Sequence, residues 1–330
     1  MRVNIIGKSN GVGLDRDAQL LMAALRLAGH DVVITKTGSR ESGRRKSILF
    51  KGGRYIYSFF KKPVVAFDLN IMLEHVWIQF IPTARKNIVI PNPDFFDKHD
   101  ISAVRKVDQV WAKTQNAIAI FKDLHSRVKY LGFDSEDRFL PQVERKRVCF
   151  HLAGSSQLKG TKRLLDIWSR HSHWPELWVI GRLKFSAPNA ENIEIFGGYM
   201  DDILLKEMQN QAMIHICTSE AEGWGHYLVE AMSVGAAVVT VDAPPMNTMI
   251  CDESGWLLPC RFNGRHGLVD RYLFDEPALE DLMHEIIEMP QQVILEKGRS
   301  GRNWFLNNRS EFINRIRFLI DDLFVNDSVE

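Results

Sequence analysis

Short apolar runs alternate with longer amphipathic stretches along most of the 330-residue chain. The run RVNIIG (residues 2–7) predicts a buried strand, residues 11–30 repeat leucine and alanine at helical spacing, and DVVIT (residues 31–35) predicts a second strand. A strand, a glycine-containing turn, a helix and a further strand are typical of the start of a doubly wound α/β fold, in which helices cover both faces of a parallel sheet.

The same alternation restarts in the second half of the chain, where VCFHLAG (residues 148–154) is the first predicted strand. The chain is about twice as long as a typical domain, which favours two domains. We therefore expect two Rossmann-like units at residues 1–140 and 148–305, a linker at 141–147, and a closing amphipathic helix within 306–330.

The composition excludes several classes of protein. Hydrophobic residues make up 45% of the chain and charged residues 25%, which is typical of a globular protein. The apolar runs are far shorter than the roughly 18 residues that a bilayer-spanning helix needs, and the N-terminal stretch lacks the pattern of a secretory signal. The four cysteines form no C-x-x-C pair. These features predict a cytoplasmic protein with reduced thiols.

Charge is distributed unevenly, although the net charge is only +1. Residues 1–147 carry 26 Lys and Arg against 15 Asp and Glu, a balance of +11, and the remaining residues carry −10. Residues 36–62 hold nine Lys or Arg and one acid, interleaved with five aromatic residues. This segment is a solvated loop with a partly buried element, a contact with an anionic membrane surface, or a nucleic-acid contact with stacking aromatics.

Two loops that follow predicted strands have the composition of phosphate-binding turns. Gly11, Val12 and Gly13 precede a helix whose free N–H groups suit a phosphate, although a plain tight turn has the same pattern. Ser155 and Lys159 lie in GSSQLKG at the start of the second unit. A lysine in this position is placed to neutralise a diphosphate, unless it is an ordinary surface lysine.

In the stretch SEAEGWGHYLVEAMSVGAAVV (residues 219–239), seven residues separate the glutamates Glu222 and Glu230. Glu222 lies on a loop beside GWG, and Glu230 lies in a helix predicted from about His226 to Val234. Glu222 can accept hydrogen bonds from hydroxyl groups at the helix entrance, and Glu230 from a second group such as a ribose, with an anion between them. Alternatively, Glu222 only complements the helix dipole and Glu230 is a surface residue.

This stretch resembles the E-x7-E motif of glycosyltransferase family 4, and weaker likenesses follow the family's order along the chain. They are GVG with AGHDVVI, VWAKTQNAIAIF, VKYLGFD, the lysine loop LKG, IEIFGGYM beside the nucleobase, and ESGWLLP. The resemblance implies the GT-B fold, in which two Rossmann-like domains face a cleft and the last helix crosses back to the first domain. It also implies metal-independent, retaining transfer of a sugar from a nucleotide-sugar, with UDP- or GDP-sugars favoured, and no required cofactor.

The resemblance implies a role for each residue of the donor site. Lys159 would hold the diphosphate and Glu222 the sugar hydroxyls, which makes both candidate catalytic residues, and Glu230 would bind the ribose. A cation held in a fixed position, such as Lys159, stabilises the negative charge that develops on a leaving diphosphate. The remaining implied donor contacts are Gly11, Val12, Gly13, Ser155, Gly198, Tyr199, Met200, Gly223, Trp224, Gly225 and His226.

The chain departs from the family pattern at two places. Gly154 stands where the family has an arginine five residues before the loop lysine, and we hypothesise that Arg182 supplies the lost charge. Asn247 stands near the place of the acid in the family's G-G-x-x-E. Asp15 and Asp17 form a D-x-D pattern at a helix start, which we interpret as a helix-dipole feature rather than a metal site.

Acceptors bind to the N-terminal domain in this fold, and His75, Asn92 and Asp94 are the candidate contacts. A buried or capping role is the alternative for His75. The favoured function is a glycosyltransferase that acts on a glycan or lipid-linked glycan, peripheral at the anionic inner face of a membrane. The alternatives are a DNA-modifying glycosyltransferase whose basic N-terminal domain binds duplex, and a non-catalytic nucleotide-sugar-binding protein.

Overall fold

A computed structural model describes residues 1–8, 13–38, 65–198 and 200–325. The chain divides into two compact units. Unit 1 comprises residues 1–113, 118–131 and 313–330, and unit 2 comprises residues 114–117 and 132–312. The predictions for Gly11, Val12 and Tyr199, and for nearly all of the basic segment 36–62, concern positions outside the described residues.

Unit 1 is built on a six-stranded sheet. Its strands are β1 (Arg2–Lys8), β2 (Asp31–Thr37), β3 (Phe67–Glu74), β4 (Ala84–Pro91), β5 (Gln109–Ala112) and β6 (Val128–Tyr130). The described pairings are all parallel, and the strand order is β2-β1-β3-β4-β5-β6. The helices in this part of the chain are α1 (Gly13–Leu27), α2 (Lys98–Ala103) and α3 (Gln115–Lys122).

Unit 2 contains a second six-stranded parallel sheet and a separate antiparallel hairpin. The strands of the sheet are β7 (Lys146–Gly154), β8 (Leu177–Gly181), β9 (Ile193–Phe196), β10 (Ala212–Cys217), β11 (Ala237–Val241) and β12 (Gly255–Leu258), and the hairpin strands are β13 (Cys260–His266) and β14 (Val269–Phe274). The order within the sheet is β12-β11-β10-β7-β8-β9. The helices of unit 2 are α4 (Thr161–Trp168), α5 (Asp202–Gln211), α6 (His226–Ser233) and α7 (Glu276–Glu288). Helix α8 (Gln291–Val325) belongs to unit 2 up to residue 312 and to unit 1 from residue 313.

Burial explains why the strand predictions hold for both sheets. Every residue of β8, β10 and β11 is buried. Continuous apolar runs of this kind are expected where helices cover both faces of a parallel sheet. The structure therefore confirms the α/β fold class with two Rossmann-like units.

The structure differs from the expectation at two places, the closing helix and the segment that follows β12. The closing helix α8 has 35 residues and begins at Gln291, directly after Pro290, well before the amphipathic stretch that predicted it. The hairpin of β13 and β14 and the helix α7 follow β12, where no element was predicted. No helix among the described residues combines the length and the apolar composition that crossing a bilayer would require.

Candidate functional site

The candidate donor site of unit 2 lies at the carboxyl ends of β7 and β10, which are parallel neighbours in the sheet. The loop after β7 carries Lys159, and the loop after β10 carries Glu222. In open α/β sheets this edge binds ligands, because the loops after adjacent parallel strands meet there. The fold thus brings the two predicted catalytic residues into contact.

The side chains of Lys159 and Glu222 form a close ion pair. Lys159 Nζ lies 2.5 Å from Glu222 Oε1, and the two side chains are 17% and 15% exposed. The same Nζ lies 3.4 Å from the centroid of the Tyr227 ring. Ser219 Oγ donates a hydrogen bond of 2.6 Å to Glu222 Oε1. Both charges stay within reach of solvent, so a diphosphate can compete for the ammonium and a hydroxyl group for the carboxylate.

Backbone contacts join the two loops directly. Glu220 N donates to Leu158 O at 2.8 Å, and Thr218 Oγ1 donates to Lys159 O at 3.1 Å. Gly160 has a φ of 68°, and a Cβ added there would collide with the carbonyl oxygen of Thr218. Only a glycine fits this close approach, which is why the lysine loop ends in one.

Tyr227 contacts Lys159 and Ser219 contacts Glu222, so the two residues hold the ion pair in place. Neither of them was predicted from the sequence as a functional residue. Tyr227 Oη donates to Ser219 Oγ at 2.6 Å and accepts from Ser219 N at 3.1 Å. Burial raises the pKa of Tyr227, so its hydroxyl stays protonated and its ring presents a neutral face to the lysine. Ser219 is the first residue of the motif that contains Glu222, and this position was the available signal.

Helix α6 begins beside the ion pair without a capping side chain. Gly225, at a φ of 92°, precedes the first helical residue His226. Trp224 is buried, and its Nε1 donates to Ser135 Oγ at 3.2 Å. The same Oγ lies 2.8 Å from His226 Nδ1. These contacts fix the helix entrance, whose N–H groups and dipole suit an anion.

Glu230 is almost completely buried, with 1% of its surface exposed. Gln209 Nε2 lies within 3.4 Å of its Oε2, and Gln209 Oε1 accepts from the buried Arg138 at 2.5 Å. Arg138 in turn contacts Glu136 and Asp202, each at 2.8 Å. The alternative that Glu230 is a surface residue is therefore wrong. The role in ribose binding stays a prediction.

Ser155 and Arg182 line a cavity of about 500 Å³ at the carboxyl ends of β7 and β8. Arg182 N donates to Gly154 O at 2.9 Å, so the arginine lies beside the position at which the family's own arginine is missing. Lys159 and Glu222 do not line this cavity. That Arg182 supplies the lost charge stays a hypothesis, and the position of Arg182 beside Gly154 is consistent with it.

The other predicted donor contacts lie on separate elements of the chain. Gly198 follows β9 and is exposed, with a φ of 89°. Met200 is partly buried and packs against a core cluster that includes Phe150. Asn247 Nδ2 donates to Asp242 Oδ1 at 2.9 Å. In unit 1, Gly13 is the first residue of α1.

Two buried histidines of unit 2, His151 on β7 and His215 on β10, link these strands to neighbouring segments. His151 Nδ1 donates to Ile216 O at 2.7 Å, and its Nε2 accepts from Thr161 Oγ1 at 2.8 Å. Burial lowers the pKa of His151 to about 4. His215 Nε2 donates to Gln209 O at 2.9 Å, and burial lowers its pKa to about 3. Both rings are neutral at neutral pH and act as structural links.

Unit 1 places a polar cluster at the carboxyl ends of β3, β4 and β5. Its residues are Asp17, Glu74, His75, Asn92 and Lys113, and we call it the unit 1 polar cluster. Lys113 Nζ donates to Asp17 Oδ2 at 2.5 Å and to Asn92 Oδ1 at 2.9 Å. Asp17 therefore belongs to a buried ion pair. The interpretation of the D-x-D pattern as a helix-dipole feature stays a prediction.

Glu74 is the non-glycine residue with a positive φ, 66°, in the described part of the chain. Its Oε2 lies 3.5 Å from His75 Nε2, and His75 Nδ1 lies 2.7 Å from Asp100 Oδ2. Burial raises the pKa of Glu74, and a hydrogen bond with Asn92 opposes this effect. Strained backbone of this type is concentrated at functional sites. Two of the three predicted acceptor residues thus share one cluster, and Asp94 lies in the turn that follows Asn92.

Several solved structures share the architecture of the whole chain. Sucrose-phosphate synthase from Thermosynechococcus elongatus superimposes with a TM-score of 0.71 at 13% identity, over 98% of this chain and 99% of that one. A glycosyltransferase from Rickettsia africae has a TM-score of 0.67 at 14% identity, over 98% of each chain. Anabaena Alr3699/HepE in complex with UDP-glucose has a TM-score of 0.65 at 15% identity, over 99% of this chain and all of that one. At these identities the likeness shows the fold.

Other similar structures are longer than this chain. It spans 57% of the length of the chain compared in the GtfA/B complex, with a TM-score of 0.58 at 16% identity. Among curated protein sequences, none matches significantly.

Two six-stranded Rossmann-like sheets in this order define the GT-B fold, and this chain has that fold. Residues 133–288, which hold both loops of the donor site, match the family Glycosyl transferases group 1. This match confirms the resemblance seen in the motif.

Proposed function

We propose that this chain transfers a glycosyl group from a nucleoside-diphosphate sugar to an acceptor hydroxyl, with retention of the anomeric configuration and without a required metal ion. The observation that carries the proposal is the contact between Lys159 and Glu222 at the entrance of α6. The Lys159 cation and the positive end of α6 match the diphosphate of such a donor. The Glu222 carboxylate matches the hydroxyl groups of its sugar.

The site residues divide the donor between them. Lys159 and the uncapped start of α6 stabilise the diphosphate, which gains negative charge as the glycosidic bond breaks. Glu222 accepts hydrogen bonds from the sugar hydroxyls and tolerates the positive charge that develops on the sugar ring. Glu230 binds the ribose from its buried position. A donor phosphate oxygen takes the acceptor proton, so the protein needs no separate general base.

A UDP-sugar is the preferred donor. HepE was solved with UDP-glucose, and the pneumococcal O-GlcNAc transferase GtfA with UDP and GlcNAc. Both share this fold, which makes uridine the first nucleotide to test. Arg182 lies beside Gly154 and is the second cation for the diphosphate.

The acceptor binds at the unit 1 polar cluster. Glu74, His75 and Asn92 offer hydrogen-bond acceptors and donors for hydroxyl groups at the ends of neighbouring strands. The balance of +11 over residues 1–147 favours an acceptor on an anionic surface, and a lipid-linked glycan is the first candidate. The same charge favours duplex DNA as the second candidate.

A thermal-shift screen over UDP-, GDP-, ADP- and TDP-sugars tests the donor, because a ligand of the folded state raises Tm. UDP-sugars are expected to raise Tm and the Lys159→Ala variant is expected to lose the shift. No shift with any donor would contradict the proposal. Cosedimentation with anionic vesicles, compared with salt-dependent binding to duplex DNA, then separates the two acceptors.

A further inference from the structure

We propose that His171, His173 and His284 form a binding site for a divalent metal ion of the zinc class on unit 2. Each of the three rings offers one nitrogen, and these nitrogens lie within 4.8 Å of one another. His171 and His173 lie in the turn that follows α4, and His284 lies on α7. A metal ion there would connect two segments that are more than 100 residues apart.

The spacing of the nitrogens is close to that of a formed site. Nitrogens that ligate one Zn²⁺ tetrahedrally at about 2.0–2.1 Å are roughly 3.4 Å apart. Side-chain movements of about 1 Å would bring the three nitrogens from their present separations to the separation found around Zn²⁺. His173 and His284 are exposed and can rotate without disturbing the core.

His171 is held in place by its surroundings. Its ring stacks on that of Trp174, with 4.3 Å between centroids and 6° between planes. Its Nε2 lies 3.0 Å from Glu280 Oε1. Asn192 Nδ2 donates to the carbonyl oxygen of His171 at 2.9 Å and so fixes the turn.

Glu280 gives the cluster the environment that a metal-bound imidazole needs. When Nε2 donates to the carboxylate, the lone pair of the ring is on Nδ1. This carboxylate–histidine–metal arrangement orients the ring and raises its basicity. Glu280 and His284 are four residues apart on α7 and share one face of the helix.

Ring stacking alone does not account for the positions of the three histidines. The ring centroids of His173 and His284 are 5.9 Å apart at 16°, whereas His171 meets both of the other rings almost edge-on, at 80° and 85°. Three imidazoles with nitrogens within 4.8 Å of one another, and a carboxylate on one of them, match the ligands of zinc, copper and nickel sites. The site would leave one position for water.

The test uses the full chain without an affinity tag, stripped of metal, with Zn²⁺ titrated by calorimetry and Co²⁺ followed by its absorption spectrum. We expect one ion for each chain and a Zn²⁺-dependent rise in Tm. The His173→Ala/His284→Ala double variant is expected to lose the ion and the Tm shift, and Glu280→Gln to weaken binding about 10- to 100-fold.

His99→Ala is the matched control, because His99 is an exposed histidine of unit 1 with an 89% exposed side chain. It is expected to bind Zn²⁺ as the wild type does. Circular dichroism checks that every variant is folded. Equal Zn²⁺ binding by the double variant and the wild type, or no stoichiometric binding by the wild type, would overturn the proposal. These readouts are independent of glycosyl transfer.

Discussion

Lys159 Nζ lies 2.5 Å from Glu222 Oε1, although the two residues are 63 positions apart in the sequence. Parallel pairing of β7 with β10 creates this contact, because it places the two following loops side by side.

Lys159→Ala is expected to raise the Kd for UDP about 10- to 100-fold, because a hydrogen bond to a charged group contributes about 1.5–3 kcal/mol. Isothermal titration calorimetry measures the change. Lys122→Ala is the control, since Lys122 is an exposed lysine at the end of α3, outside the donor loops of unit 2. Equal Kd values for wild type and Lys159→Ala would contradict the assignment of the diphosphate site.

Glu222→Gln is expected to separate the sugar from the nucleotide. UDP is expected to bind as tightly or more tightly, because Lys159 loses its internal carboxylate partner. Turnover of the UDP-sugar is expected to fall about 100-fold, since interactions with the reacting sugar strengthen in the transition state. The comparison needs the Kd for UDP beside kcat and KM for the donor. A parallel loss of UDP affinity and turnover would show that Glu222 acts on the diphosphate instead.

Gly160→Ala is expected to destabilise unit 2 strongly. Its φ of 68° and the collision of an added Cβ with Thr218 O make the native backbone unavailable to alanine. We expect a loss of at least about 2–3 kcal/mol in the free energy of unfolding, measured by urea denaturation.

Gly264→Ala provides the control for this substitution. Gly264 has a similar φ of 82°, but an added Cβ meets nothing within 4 Å. Its cost is expected to be limited to the backbone term of about 1–2 kcal/mol. A smaller loss for Gly160→Ala than for Gly264→Ala would contradict the close packing of the two loops.

The stability of unit 2 is expected to fall as the pH falls below about 6.5. His151 and His215 have pKa values lowered to about 4 and about 3, so the unfolded chain takes up protons that the folded chain refuses. Each histidine then removes up to about 1.4 kcal/mol per pH unit between about 6.5 and its folded pKa.

Urea denaturation of His151→Asn over pH 7 to 4.5 checks this sign. The variant is expected to show a shallower decline in the free energy of unfolding than the wild type, whatever its absolute stability. His99→Asn, at an exposed site, is expected to keep the wild-type slope. A steeper decline for His151→Asn would mean that the ring is protonated in the folded protein.

The alternation of apolar runs was enough to predict the two sheets, but it missed elements whose residues face solvent. Strand β13, CRFNGRH, is exposed along most of its length and has no apolar alternation. Helix α8 contains Gly298 and Gly301, which weaken the helix propensity of its first half. Tertiary packing explains these glycines, because a Cβ at Gly298 would collide with the backbone of Gly235.

The donor site was predictable as a set of motifs and not as a set of contacts. The motif placed Glu222 on a loop and Glu230 in a helix, which the structure confirms. The ring of Tyr227 over Lys159 and the bridge from Ser135 to His226 depend on segments that are distant in sequence. Local pattern contains no information on such pairs, because strand order decides them.

The release of UDP from a UDP-sugar, compared between wild type and Lys159→Ala and Glu222→Ala, tests the account most directly. We expect measurable release by the wild type, a fall of about 100-fold or more in each variant, and wild-type rates for the Lys122→Ala control. Release by both variants at the wild-type rate would contradict the assignment of this ion pair to the donor site.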